Sequence, residues 1–560
     1  MVSLILFGVS VTLLPFTVFG FDGQSSKWIG YDSFTYRGID KGYEKISPGS
    51  GNYYNPILAG FYPDPSICRV GRDYYLINST FAYYPGIPIF HSRDLVNWKQ
   101  IGHVIHRPEQ LRYQGLGVSR GIFAPAITWH EGVFYVVCTM VDGGGNFVVT
   151  STDPAGPWSD PVYFTFEGID PSLFFDEDGR AWMVNNGAPE SPPIYNGHRA
   201  IWMQEFDPGT KKMIGPRKVI VDGGVDITAK PIWIEGPHIY QYNGMYYLFC
   251  AEGGTGPEHS EVVFRSQKVD GPYAPWEKNP ILTQRDLDPN ASGAVTCTGH
   301  ADFVVGPDGK WWSVFLGVRP YDGEASPMGR ETFMLPVTWT DDHWPVILPK
   351  GERVPLTVNS PDNTPVVRSE KFPMSGNFTW KEEFDGDELS PLWVMLREPK
   401  ESWYELDSSK GHLRIAPRRK LLTGKDNPSY LARRIQNASF TVTALLEVPE
   451  VSGISAGLAL FQNEDYHYFL AVRKDGGKTC IYLEQVKGGK VRELGTVQLP
   501  DMDKIRLGID AEDSKCSFKY MDTKESWTPL VENADARMLT TAVAGGFVGA
   551  TVGPYVRIDD

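Results

Sequence analysis

Residues 234–255, IEGPHIYQYNGMYYLFCAEGGT, set an Asn-Gly pair between two aromatic-rich runs that alternate in polarity. Asn-Gly and Asp-Gly favour the two positive φ values of a tight hairpin turn, so the stretch predicts a β-hairpin ending at Tyr247. The same glycine turn and aromatic strand return at Gly71-Arg72-Asp73-Tyr74-Tyr75, Glu131-Gly132-Val133-Phe134-Tyr135, Asp178-Gly179-Arg180-Ala181-Trp182 and Asp308-Gly309-Lys310-Trp311-Trp312. With Tyr247 in its place, the closing aromatics stand 60, 47, 65 and 65 residues apart. Helical periodicity is nearly absent between Asn55 and Pro349, where short alternating runs such as FYVVCTM recur. Five such units repeated around an axis predict an all-β chain with a five-bladed β-propeller.

A chain of 560 residues is too long for one hydrophobic core. Residues 1–20, MVSLILFGVSVTLLPFTVFG, read as a signal peptide cut near Gly20, which predicts a secreted protein. The propeller is expected over residues 21–350. Residues 351–379 are rich in Pro, Asn and Ser and read as a linker or a tether wrapping the surface. From residue 380 onward, runs such as FTVTALLEV, SAGLALFQ and YHYFLAVR predict an antiparallel β-sandwich.

The net charge of −15 argues against nucleic acid as a partner, because phosphates demand a basic patch. No segment after residue 20 is apolar enough to span a membrane. Secretion gives meaning to four Asn-x-Ser/Thr acceptors, Asn78, Asn290, Asn377 and Asn437, of which Asn78 sits in a strand-like run. The six cysteines lack zinc-type spacing, and whether Cys480 pairs with Cys516 is left open by sequence. Oligomeric state leaves no signal.

Stepping back 11 or 12 residues from each closing aromatic reaches Asp64, Ala124, Asp170, Glu235 and His300. The first strand of every propeller blade lines the central channel, so equivalent positions converge there. Three carboxyls brought together push their pKa values apart. Glycosidic hydrolysis needs such a separation, with one protonated acid for the departing oxygen and one ionised carboxylate for water.

At these residues the chain resembles glycoside hydrolase family 43, in its β-xylosidase and α-L-arabinofuranosidase members. The resemblance is carried by residues 55–98 (NPILAGFYPDPSIC through DLVNW), by GIDPSLFFDEDGRAWMVNNG and IEGPHIYQYNGMYYLFCAEGGT, and by TGHADFV and GRETFMLPVTW. It implies Asp64 as general base, Asp170 as modulator of the acid's pKa and Glu235 as general acid. It further implies Arg330 as the residue gripping the sugar, Phe81 as a substrate-facing aromatic, and a concanavalin A-like fold for the sandwich. Phe123 stands where relatives often carry Trp. His300 is implied on the axis, and some relatives hold a water-coordinated calcium there. No cofactor is otherwise required.

The resulting expectation is an inverting exo-glycosidase that removes β-D-xylosyl or α-L-arabinofuranosyl residues from xylan or arabinoxylan oligosaccharides. Asp64 and Glu235 should then stand roughly 6.5–9.5 Å apart, leaving room for a water. A non-catalytic sugar-binding propeller would have lost at least one of the three carboxylates. The sandwich either binds polysaccharide or narrows the mouth of the site.

Overall fold

All five predicted hairpins form, with three turn chemistries. At Glu131-Gly132 and Asn243-Gly244 both central residues are left-handed, with φ of 46° and 84°, and of 50° and 72°. In the first blade Val70 pairs with Asp73, and only Gly71 of the two loop residues is left-handed. Blades three and five close through longer loops, at Phe175↔Ala181 and Val305↔Trp311, where Gly179 and Gly309 alone are left-handed. The expectation of two positive φ values per turn therefore holds only for blades two and four. In the longer loops Asp178 and Asp308 avoid positive φ while glycine takes the left-handed position.

The structure is a computed structural model that describes residues 28–44, 51–367, 369, 371–407, 411–521 and 525–559. The expected signal peptide lies outside these residues. Among them no helix is long and apolar enough to cross a membrane.

Four blades are antiparallel sheets whose first strands are Ser66–Val70, Gly121–His130, Ile169–Phe175 and Glu235–Tyr242. The fifth has three strands, Thr296–Val305, Trp311–Val318 and Glu331–Pro336. The ring closes where Leu58 and Thr332 exchange backbone hydrogen bonds of 3.2 Å, joining the N-terminal side of blade one to blade five. Apolar residues at alternate strand positions fill the spaces between blades. Phe249, Phe303, Phe315 and Phe333 pack between blades four and five, each buried ring contributing about 1.5–3 kcal/mol.

The C-terminal part is a sandwich of two eight-stranded sheets. Its boundaries differ from the expected ones. Ile29–Gly38, expected in the propeller, is an inner strand of the sandwich, paired with Ser439–Glu447 on one side and with Phe378–Glu382 on the other. Tyr31, Phe34 and Tyr36 give that strand its buried face, and such a face can be covered by any sheet in register. Phe378–Glu382 also begins before the expected boundary at residue 380. In the other direction, Tyr83 and Tyr84 of the propeller extend the second sandwich sheet by pairing with Leu396 and Met395.

Described residues between 351 and 379 touch both parts: Asn97 Nδ2 of the propeller donates to Pro365 O at 3.1 Å, and Asn437 Nδ2 of the sandwich donates to Gly376 O at 3.3 Å. Thr357–Asn359 pairs with Asn52–Tyr54, and Met374 accepts a 2.7 Å hydrogen bond from Ala59 N–H. Arg397 locks the junction from a buried position, donating through Nε to Leu116 O (2.7 Å) and through Nη1 to Asp426 O (2.8 Å).

All six cysteines are free, with Cys480 and Cys516 on strands of opposite sheets. Asn78 and Asn437 are fully buried and hydrogen-bonded, Asn78 to Tyr62 O and Thr332 Oγ1, so neither is open to glycosylation in the folded chain. Asn290 is exposed.

Candidate active site

One backbone irregularity recurs at the start of every innermost strand. Asp64, Ala124, Asp170, Gly236 and His300 are left-handed, with φ of 51°, 29°, 55°, 55° and 53°. In blades two to five the ladder slips register beside them, as a β-bulge does. A bulge re-aims side chains and bends its strand, which here turns them into the channel. In blade four the equivalent residue is Gly236, and Glu235 stands one position ahead of it. This corrects the sequence reading, which took Glu235 itself as the equivalent. The reason is steric. A Cβ at Gly236 would come within 2.9 Å of His300 Cε1, so glycine leaves room for the imidazole. Its freed amide N–H donates to Asp170 Oδ2 at 3.2 Å.

Asp64 is buried between two donors. Arg330 Nη1 donates to Oδ1 at 2.9 Å and Ser79 Oγ donates to Oδ2 at 2.6 Å. Burial by itself would raise this carboxyl, but Arg330, His300 and Ser79 outweigh it and hold it below the usual carboxylate range. Ser79 Oγ also accepts the Ala124 amide at 2.7 Å, tying blade one to blade two behind the carboxylate.

Asp170 and Glu235 go the other way. Burial, then the charge of Asp64, pushes Asp170 up to about 7, against the Gly236 amide, Arg330 and Arg199. Burial, then repulsion from Asp170 and Asp64, lifts Glu235 well above the usual carboxylate range. The surroundings therefore push the three groups apart, Asp64 toward the ionised form and Glu235 toward the protonated one. That is the division of labour an acid and a base require.

His300 is also buried, and burial holds its imidazole down to about 4, against the pull of Asp64. Its strand has a second left-handed residue, Cys297, and side chains of blade four pin both. His259 Nδ1 donates to Cys297 O at 2.9 Å, and Glu261 Oε2 accepts from Ala301 N–H at 2.9 Å. Neither residue carried a sequence signal, because both lie outside the repeated spacing that marks the axial positions.

No calcium fits this environment directly. Calcium takes 6–8 oxygen ligands. The nearby carboxylates are already engaged: Asp64 as described, and Asp302 by Ser66 Oγ, the Ile67 amide and Tyr240 Oη. Among the described residues no three His, Cys, Asp or Glu side chains converge as metal ligands.

The carboxyls open into a cavity of about 460 Å³. One wall is a set of three phenyl rings, Phe81, Phe123 and Phe547, with centroids 5.2 Å (Phe81–Phe123), 5.7 Å (Phe123–Phe547) and 6.1 Å (Phe81–Phe547) apart. Arg330 lies 5.8 Å from the centres of both Phe81 and Phe547. Phe81 is only 1% exposed, so it backs Arg330 more than it meets solvent. Phe547 comes from the sandwich, and its amide donates to Ser119 Oγ of the propeller at 2.9 Å. The sandwich thus shapes the active-site mouth.

Two further residues went unread in the sequence. Arg199 donates to Asn186 Oδ1 through Nε (3.1 Å) and Nη2 (2.8 Å) and lies close enough to Glu235 and Asp170 to oppose their rise. Trp233 lines the cavity beside it. A larger open groove of about 1060 Å³ lies where the domains meet, but exposed residues such as Glu109, Arg112 and Lys400 line it and none of the axial groups reach it.

Residues 53–345 match the family described as glycosyl hydrolases family 43, and residues 381–557 match the beta xylosidase C-terminal concanavalin A-like domain. A xylosidase/arabinosidase of Butyrivibrio fibrisolvens is 40% identical over 508 residues, covering 90% of this chain and 95% of that protein. A non-reducing end alpha-L-arabinofuranosidase of Bacteroides ovatus is 35% identical over 91% of this chain and 92% of its own. Among solved structures, a family 43 protein retrieved from capybara gut metagenome superposes with a TM-score of 0.90 at 40% identity, covering 95% of this chain and all of its own. The xylan beta-1,4-xylosidase from Bacillus halodurans C-125 gives 0.80 at 34% identity, covering 90% of this chain and 97% of its own.

Proposed function

The chain belongs to glycosyl hydrolase family 43, and from that premise we propose that its axial site removes terminal β-D-xylosyl or α-L-arabinofuranosyl residues from xylan-type chains with inversion of the anomeric centre. One observation carries this reading: three buried carboxyls, Asp64, Asp170 and Glu235, line one cavity, and of the three Asp64 alone is held by Arg330 and Ser79.

Glu235 is the general acid. Its proton passes to the glycosidic oxygen as the bond from that oxygen to the anomeric carbon breaks. Asp64 is the general base. It takes a proton from a water whose oxygen attacks the anomeric carbon from the opposite face. Arg330 and Ser79 keep Asp64 ionised and oriented for that step. Asp170 keeps Glu235 protonated through its own negative charge, the largest influence on Glu235 after burial. With Nη1 committed to Asp64, the remaining donors of Arg330 are available to sugar hydroxyls.

The relatives carry both xylosidase and arabinofuranosidase names, and the two sugars present similar hydroxyls to one pocket. Release from aryl xyloside and aryl arabinofuranoside, assayed side by side, decides between them. Proton NMR of the first-formed sugar tests inversion: a β-xyloside should give α-xylose before mutarotation. If β-xylose appears first, Asp64 is not a base acting on water. We further propose action outside the cell, supported by the apolar run of residues 1–20.

A further inference from the structure

The acid must touch the glycosidic oxygen, so the leaving part of the substrate passes out of the cavity on the side of Glu235. Two residues before Glu235 stands Trp233, with φ of 50°. Left-handed backbone is a genuine outlier for a bulky aromatic, and such strain persists where surrounding structure imposes it at working sites. Here the imposition is visible. Trp233 N–H donates to Gly197 O (3.0 Å), Gly253 N–H donates to Ile232 O (2.9 Å), and Asn186 Nδ2 donates to Ile234 O (2.6 Å). Tyr195 Oη reaches Pro231 O at 2.9 Å, so the loop after Gly187 and the segment before Glu235 form one wall.

That wall presents apolar surface to water. Ile194 is 68% exposed, Ile232 52% and Trp233 37%, and both Ile232 and Trp233 line the cavity. The Trp233 ring is held by the Arg199 guanidinium 4.9 Å from its centre, and Arg199 is itself fixed by two hydrogen bonds to Asn186. Trp129 and Trp527 are as exposed, at 38% each, but of the three Trp233 alone lines the cavity that holds the carboxyls. We infer that Trp233, with Ile232 beside it, is a specificity-determining platform on which the first sugar ring of the leaving chain stacks through its C–H face. The ligand class is a pyranose-containing oligosaccharide, in preference to a simple alkyl glycoside. This rests on the hydrolase reading above.

The test is Trp233→Gly, since glycine adopts a φ of 50° without strain and the backbone path is kept. Steady-state kinetics are compared on xylobiose and methyl β-xyloside, and on the corresponding α-L-arabinofuranosyl pair. Both leaving groups are poor and need a proton from Glu235, but only the disaccharide leaves a ring. The ratio of kcat/KM for disaccharide over methyl glycoside should fall roughly 3- to 10-fold, the range for a lost aromatic contact. Trp233→Phe should recover most of that ratio. An unchanged ratio overturns the platform: equal losses would mean that Trp233 acts on the acid through Arg199, and no loss that the ring is idle. Native protein that cleaves no member of either pair overturns the hydrolase reading, and the platform with it.

Discussion

In the propeller, left-handed non-glycine residues recur at the axial end of the innermost strands, at Asp64, Ala124, Asp170 and His300; in the sandwich, they are scattered, as at Asp513 in the two-residue turn after Glu512 and Asn533 on the edge strand Trp527–Asp535. The sandwich has register shifts of its own, as between Phe461 and Asn463, but also long unbroken ladders, such as the nine paired positions between Ser439–Glu447 and Lys504–Glu512. In blades two to five the propeller interrupts the innermost ladder beside the axial position and gathers ionisable groups there. Regular pairing maximises hydrogen bonding, whereas a repeated bulge gives up a little of it to aim side chains at an axis. Chemistry is therefore concentrated in the propeller, and the sandwich supplies a strand exchange, a buried junction and one ring, Phe547, at the mouth.

If the two parts are one folding unit, their separation should have the largest effect. Removing residues 380–560 would strip Ile29–Gly38 of its principal partner and expose Tyr31, Phe34 and Tyr36. The truncated chain should be insoluble or inactive; a soluble fragment with full activity would show that the sandwich is only an appendage.

The next effect lies wholly within the propeller. Glu235→Gln should lower kcat/KM on xylobiose by roughly 10²–10⁴-fold, and much less on aryl glycosides whose leaving groups need little protonation. Equal losses on both substrate types would remove Glu235 from the acid role.

Asp170→Asn should cost less activity and change the pH profile. Asp170 raises Glu235 by repulsion, so its neutralisation lets Glu235 lose its proton at lower pH. The basic limb of kcat/KM should move toward acid. A raised KM with an unmoved limb would make Asp170 a binding residue instead.

Smallest is the sandwich's direct contribution. Phe547→Ala removes a ring from Phe81, Phe123 and Arg330 and should reduce kcat/KM by roughly 3- to 10-fold while the protein stays folded. No change would confine the function of the sandwich to support.

The five hairpins, the order of the blades and the three axial carboxyls were legible because each rests on local chemistry repeated at a regular interval. Asn243-Gly244 and Glu131-Gly132 announce their turns, and repeats convert equal spacing into a shared place on the axis. The spacing was good to one residue and no better. It merged Glu235 with Gly236 because it counts positions and cannot see that His300 needs the volume a Cβ would fill.

Local sequence chemistry thus carries the architecture and the set of acids. The physical cause of their different proton affinities is tertiary, because it lies in Arg330 against Asp64 across 266 residues and in Asp170 near Glu235 within a buried cavity. Tertiary structure alone decided that Ile29–Gly38 belongs to the sandwich and that Phe547 closes the site. Strand pairing and ring contacts between segments hundreds of residues apart are chosen by complementary surfaces in three dimensions, and such complementarity leaves no periodic mark on either segment.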